Sequence, residues 1–174
     1  MSKLMDTSSM EVYRPLIISA SDEESKSTLQ KLKSDSSLLI HDEIITQVGD
    51  LIKLRSPQRK LSSAESNAAI EDFFGGKSPS SYGNWVYFPW RNCLVHLLPE
   101  REFVTVRTVR NRYVITEEEQ NILAGKKVGI IGLSVGQSVA LTLALERGCG
   151  ELRLADFDTL ELSNLNRIRT GVHN

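Results

Sequence analysis

Residues Lys127–Arg167 constrain the fold more than any other part of the chain. The run KVGIIG is a continuous apolar segment that leads through a glycine-punctuated turn into the apolar stretch VALTLAL. A second run, ELRLADFD, ends in acidic residues and is followed by the polar stretch SNLNR. Short apolar runs bounded by glycine read as strands buried on both faces, and a helix between two of them makes a βαβ unit. The expected class is therefore α/β: the start of a Rossmann-like parallel sheet, one βαβ unit, preceded by a small α+β module. The chain reaches Asn174 soon after that unit closes, so the sheet is expected to be incomplete as it stands.

Upstream the texture is mixed. Residues 1–37 are Ser-, Lys- and acid-rich, and two readings stay open for them: a flexible N-terminal arm, or a short helix through Lys33 with Ser21 and Glu24 as its capping box. Residues 38–112 read as a small α+β accessory module. Within it the apolar positions 38, 41, 45, 48 and 52, with 44 and 51, fall near a helical period, which His41 interrupts and Ser56-Pro57 ends. Ser62 and Glu65 open a second helix through Phe74, closed by Gly75-Gly76. NWVYF, NCLVHLL and EFVTVRTV are rich in aromatic and β-branched residues and predict two or three antiparallel strands, turning at Pro99-Glu100-Arg101. Thr116 and Glu119 cap a short helix that ends at Gly125, just before the βαβ unit. Residues 113–174 form the last segment.

A strand–turn–helix unit leaves the first N–H groups of its helix unpaired, and with the helix dipole they favour an anion such as phosphate. Gly132 and Gly136 fit the close backbone approach this needs. Asp156, at the end of the next strand, fits an acidic group for ribose hydroxyls. The dinucleotide pattern G-x-G-x-x-G fails, because Ser134 and Gln137 stand at its second and third glycine positions and Gly136 falls one place early.

The run Asp156-Phe157-Asp158-Thr159-Leu160-Glu161-Leu162-Ser163-Asn164-Leu165-Asn166-Arg167, with the spacing from Gly132 through Gly148-Cys149-Gly150, resembles the ThiF/MoeB/HesA family of adenylating enzymes related to the activators of ubiquitin. The resemblance covers the βαβ unit and the polar run after it, and it extends back to Arg112 if the helix before the first strand is the family's lead-in helix. It makes residues 113–174 an incomplete ThiF-like nucleotide-binding domain and the chain an N-terminal fragment with a variant glycine loop. It implies ATP and Mg2+ as cofactors and attack of an acceptor carboxylate on the α-phosphate, giving an acyl-adenylate. It also implies catalytic roles for Asn164 and Arg167 at the phosphates, and nucleotide contacts for Gly132, Ser134, Gly136, Asp156 and Asp158. An arginine acting in trans would correspond to Arg110 or Arg112. The partner implied is a small ubiquitin-like or sulfur-carrier protein, with a homodimer or a continuation of the chain completing the site. In the family's G-x-G-G-x-G loop three glycines are replaced here by Ser134, Val135 and Gln137. Its lysine and its magnesium-binding aspartate would lie beyond Asn174, and no metal ligand is assigned within the chain. Two other readings stay open: a nucleotide-binding or scaffolding module without catalysis, and an NAD- or flavin-linked oxidoreductase component.

Composition excludes more than it assigns. A formal charge of −1 gives no reason to expect a nucleic-acid partner, and no apolar run approaches the roughly 20 residues of a membrane span. The N-terminus lacks an apolar h-region, and Cys93 and Cys149 form no paired motif, so a reducing cytoplasm is expected. Cys149 reads as a small buried side chain, Trp85, Tyr87, Phe88 and Trp90 as core or interface, and Arg169 as a surface charge. Cys93 and His96 fall on opposite faces of one strand.

Overall fold

The computed structural model describes residues 13–55, 57–58 and 60–170. The chain divides into two compact units, Met1–Arg107 and Thr108–Asn174.

The first unit is built on a four-stranded mixed sheet. Its strands are β1 (Leu16–Ser19), β2 (Leu39–Asp42), β3 (Asn84–Phe88) and β4 (Cys93–Leu97), in the order β1-β3-β4-β2. β3 pairs antiparallel with β1 and β4, and β2 runs parallel to β4. The register aligns Ile18, Trp85, His96 and Asp42 in one row across the sheet. Period-2 alternation sends Leu94 and His96 inward from β4. Helix α1 (Lys26–Ser34) closes this face with Leu29 and Leu32 against Ile18, Ala20, Leu38, Trp85 and Leu94. A second cluster joins α2 (Ile44–Arg55), α3 (Ser63–Phe74) and α4 (Glu100–Arg107). In it Ile44, Val48 and Leu98 are buried against Ile52, Ile70, Phe73, Phe74, Tyr82, Phe103 and Val106.

Several expectations are corrected here. Of the two readings for residues 1–37, the short helix is present as α1 and the flexible arm does not hold for residues 16–34, which supply an edge strand and a covering helix; residues 1–12 lie outside those described. Ser21 caps nothing: its hydroxyl meets Ser19, and α1 starts later, after Ser25. The apolar period from Leu38 is two elements, because residues 39–42 pair with β4 and Asp42 accepts the N–H of Ile44 at 3.4 Å where α2 begins. The EFVTVRTV segment is helix α4 and not a strand; its Phe103 and Val106, three apart, face one cluster. The boundary between units falls after Arg107 rather than Arg112. Ser62 and Gly75 act as expected, the first in a complete capping box and the second as a left-handed C-cap at φ 55°.

The second unit contains α5 (Glu117–Ala124), β5 (Lys127–Ile131), α6 (Leu133–Glu146) and β6 (Glu151–Ala155). β5 and β6 are parallel, with Lys127 opposite Glu151 and Ile131 opposite Ala155, so their carboxyl ends lie side by side. This is the expected βαβ unit, and with the mixed sheet upstream it makes the chain α/β with a Rossmann-like start. The Thr116–Glu119 capping box is complete. A 3-10 turn, Leu162–Asn166, follows β6. No described helix is long and apolar enough to cross a membrane.

Candidate functional site at the carboxyl ends of the parallel strands

The site grows from the two residues that follow β5 and β6. Gly132 leaves β5 at φ 86°, in the left-handed region that suits glycine, and its N–H donates to the carbonyl of Ala155 at 2.8 Å. That bond holds the turn above the sheet beside Asp156. The Asp156 carboxylate accepts the N–H of Leu133, the first residue of α6, at 2.6 Å, and that of Asp158 at 3.0 Å. These backbone donors, Leu133 first, hold the carboxyl below its usual range. The negative end thus meets the positive end of the helix dipole.

The 3-10 turn brings in the remaining residues. The side-chain oxygen of Asn164 accepts the N–H of Glu161 at 2.8 Å, which fixes the entry to the turn. Arg167 closes it, donating from Nε to the Ser134 hydroxyl at 2.6 Å and from Nη1 to the side-chain oxygen of Asn166 at 3.0 Å. No carboxylate pairs with Arg167 among the described residues. A cavity of about 550 Å³ opens here. Its polar wall carries Ser134, Asp156, Asp158, Asn164 and Arg167, and its apolar wall includes Leu141 and Leu154.

Five of the seven residues singled out in the sequence therefore line one cavity, and two do not. Gly132 makes the turn without lining the cavity. Gly136 sits inside α6, where an added Cβ would come within 2.7 Å of the Ile130 side chain, so its smallness serves helix–strand packing rather than phosphate approach. Asp156 lines the cavity, and each of its oxygens accepts one backbone N–H, from Leu133 and from Asp158. Arg110 and Arg112 are exposed in a separate 3-10 turn, Val109–Tyr113, away from the cavity lining.

Sequence reasoning missed Gln137, which it counted as a loss of glycine. Its amide accepts the N–H of Arg169 at 2.7 Å and donates to the same residue's carbonyl at 3.4 Å. The signal was present, since Gln137 stands three residues after Ser134 and so shares its helix face. A guanidinium lining a cavity, beside hydroxyl and amide groups, suits an anionic ligand such as a nucleotide phosphate. For a metal the described residues offer less: none of them form a cluster of three or more His, Cys, Asp or Glu side chains able to hold an ion.

The chain is 40% identical over 157 residues to Uncharacterized protein MT1398 of Mycobacterium tuberculosis (strain CDC 1551 / Oshkosh), an alignment that takes in 90% of this chain and 20% of the relative. The chain thus spans about a fifth of that relative's length. An alignment this long cannot be contained in Thr108–Asn174, so the shared sequence extends into the first unit. No solved structure matches the chain. Residues 107–170, which contain the whole cavity lining, match the ThiF family model.

Proposed function

We propose that the second unit is the nucleotide-binding start of an ATP-dependent adenylating protein. The observation that carries this reading is Arg167, pinned by Ser134 in a cavity shared with Asp156 and Asn164 and paired with no carboxylate among the described residues. A fixed guanidinium without an acidic partner stabilises charge that builds on a phosphate, and it does so best where its own geometry is already set. Asn164 and Ser134 orient the ligand, and Asp158 sits at the same mouth. The nucleotide would supply the activated phosphoryl group: the acceptor carboxylate forms a bond to the α-phosphorus while the α–β anhydride breaks and pyrophosphate leaves. The acceptor in this reading is a tail carboxylate of a small ubiquitin-like or sulfur-carrier protein. A magnesium ligand, the rest of the phosphate site and the cover of the sheet come from further chain or a second subunit.

A second reading, a nucleotide-binding or scaffolding module without catalysis, is favoured by one observation. Asp156 already occupies the N-terminus of α6, the place where such turns otherwise hold phosphate. The two readings separate in one assay on the longest natural form of the polypeptide. An adenylating protein binds Mg-ATP and exchanges pyrophosphate into ATP only when its carboxylate acceptor is present. A binding module retains Mg-ATP without exchange. Arg167→Ala is expected to weaken Mg-ATP binding by about 10- to 100-fold. Unchanged affinity in that variant removes Arg167 from the site.

A further inference from the structure

The residues that replace glycine in the turn do more than fill space. Ser134 and Gln137 lie three apart on the first turns of α6, and both reach the segment that follows the 3-10 turn. Ser134 takes Nε of Arg167, and Gln137 takes both the N–H and the carbonyl of Arg169. The segment that carries Arg167 is therefore held at two points by a helix anchored to the parallel sheet. The other two bonds of the guanidinium run to Asn166 and to the Ser163 carbonyl, which belong to the same short turn and move with it. Among the described residues, Ser134 and Gln137 tie this segment to helix α6. Among the described residues nothing takes Nη2, which leaves that group for a ligand.

We infer that Gln137 is a positioning residue: by clasping the backbone of Arg169 it fixes Arg167 in the cavity for the anion it meets. This rests on the nucleotide reading of the same cavity. Gln137 lines that cavity too, but its amide is spent on the Arg169 backbone, so it acts on the ligand through Arg167. A rigid, preset guanidinium binds phosphate more tightly than one that must be ordered on binding.

The test is a double-mutant cycle read as Mg-ATP affinity by calorimetry, on the full chain and on its longest natural form. Gln137→Ala is expected to weaken binding about fivefold, the loss set by one neutral clasp. In the Arg167→Ala background the same change should cost less than about twofold, since the residue it positions is gone. A role confined to packing moves the unfolding midpoint but leaves the two affinity losses multiplicative. Gln137→Met, of similar length but without the amide, repeats the measurement should the alanine variant fold poorly. If Gln137→Ala binds like the unaltered protein, or the two losses multiply, the positioning role is overturned while the nucleotide reading stands. If the unaltered protein binds no Mg-ATP, the nucleotide reading falls and takes this inference with it.

Discussion

The Asp156 carboxylate is exposed, yet both of its oxygens are engaged by backbone N–H groups, and this fixes the sign of its pH effect. The folded chain holds this carboxyl below its usual range, chiefly through the Leu133 N–H. Its contribution is therefore present above the unfolded value, about 4, and is lost as pH falls through the folded value. Asp156→Asn should flatten that part of the profile. The check is the difference between variant and unaltered protein in urea midpoint from pH 6 down to pH 3, because Glu119 and Glu151 are also held low and titrate in both proteins. A constant difference across that range would rule the mechanism out. His96 makes a second prediction, one of stability. It is fully buried, with Nδ1 2.8 Å from Asp42, Nε2 2.6 Å from the Tyr82 carbonyl, and its ring stacked on Trp85 at 4.0 Å. His96→Ala leaves a void and strands the Tyr82 carbonyl, at an expected cost of about 3 kcal/mol in chemical denaturation. A cost below about 1 kcal/mol would mean that the row across the sheet is not what holds this core.

At the scale of elements, the join of β5 to α6 is the most demanding contact. An alanine at position 136 would press on the Ile130 side chain at 2.7 Å, and Ile130 is β-branched and stiff. Gly136→Ala should therefore destabilise the second unit by about 1–3 kcal/mol, read from chemical denaturation of the longest natural polypeptide. This join was legible in the sequence because local signals and tertiary pairing agree there: apolar strand, glycine turn, apolar helix, acidic strand end. Capping at Ser62 and Thr116 was legible for the same reason, since a capping box satisfies its own donors within four residues. Other elements were hidden where non-local pairing decides. Leu39–Asp42 carries a helix-like spacing but gains its hydrogen bonds from β4, more than fifty residues on. Leu16–Ser19 is too short to announce itself and becomes a strand only against β3. In Glu100–Arg107 the β-branched Val104, Thr105 and Val106 suggest a strand, but burial of Phe103 and Val106 on one side selects a helix. In the site, the place of Arg167 and Asn164 after the second strand followed from their run, whereas the helix-face spacing of Ser134 and Gln137 marked a shared face but not its partner Arg169, more than thirty residues on.

At the scale of the whole chain the two units differ in how well they bury themselves. The first has a four-stranded sheet and two clusters of buried side chains. The second has a two-stranded parallel sheet crossed by one long helix, and Ala140 is the one residue of α6 that is buried. Ile131, Val135, Phe157 and Leu162 are each at least 76% exposed. Parallel strands need cover on both faces, and two strands rarely stand alone in water. In the M. tuberculosis relative the aligned segment lies within a polypeptide about five times as long as that segment. Residues 1–107 made alone should therefore unfold in one cooperative urea transition. Residues 108–174 made alone should show helical circular dichroism without a sharp transition and should bind a hydrophobic dye. The comparison decides between two sources of order for the cavity. A sharp transition for 108–174 would show that β5, α6 and β6 carry enough apolar burial themselves, and the exposed Ile131 and Phe157 would then be free for other contacts. A broad transition that sharpens in the longest natural polypeptide would show that the proposed nucleotide site is ordered by the chain that covers it, so that Mg-ATP affinity should rise with that cover.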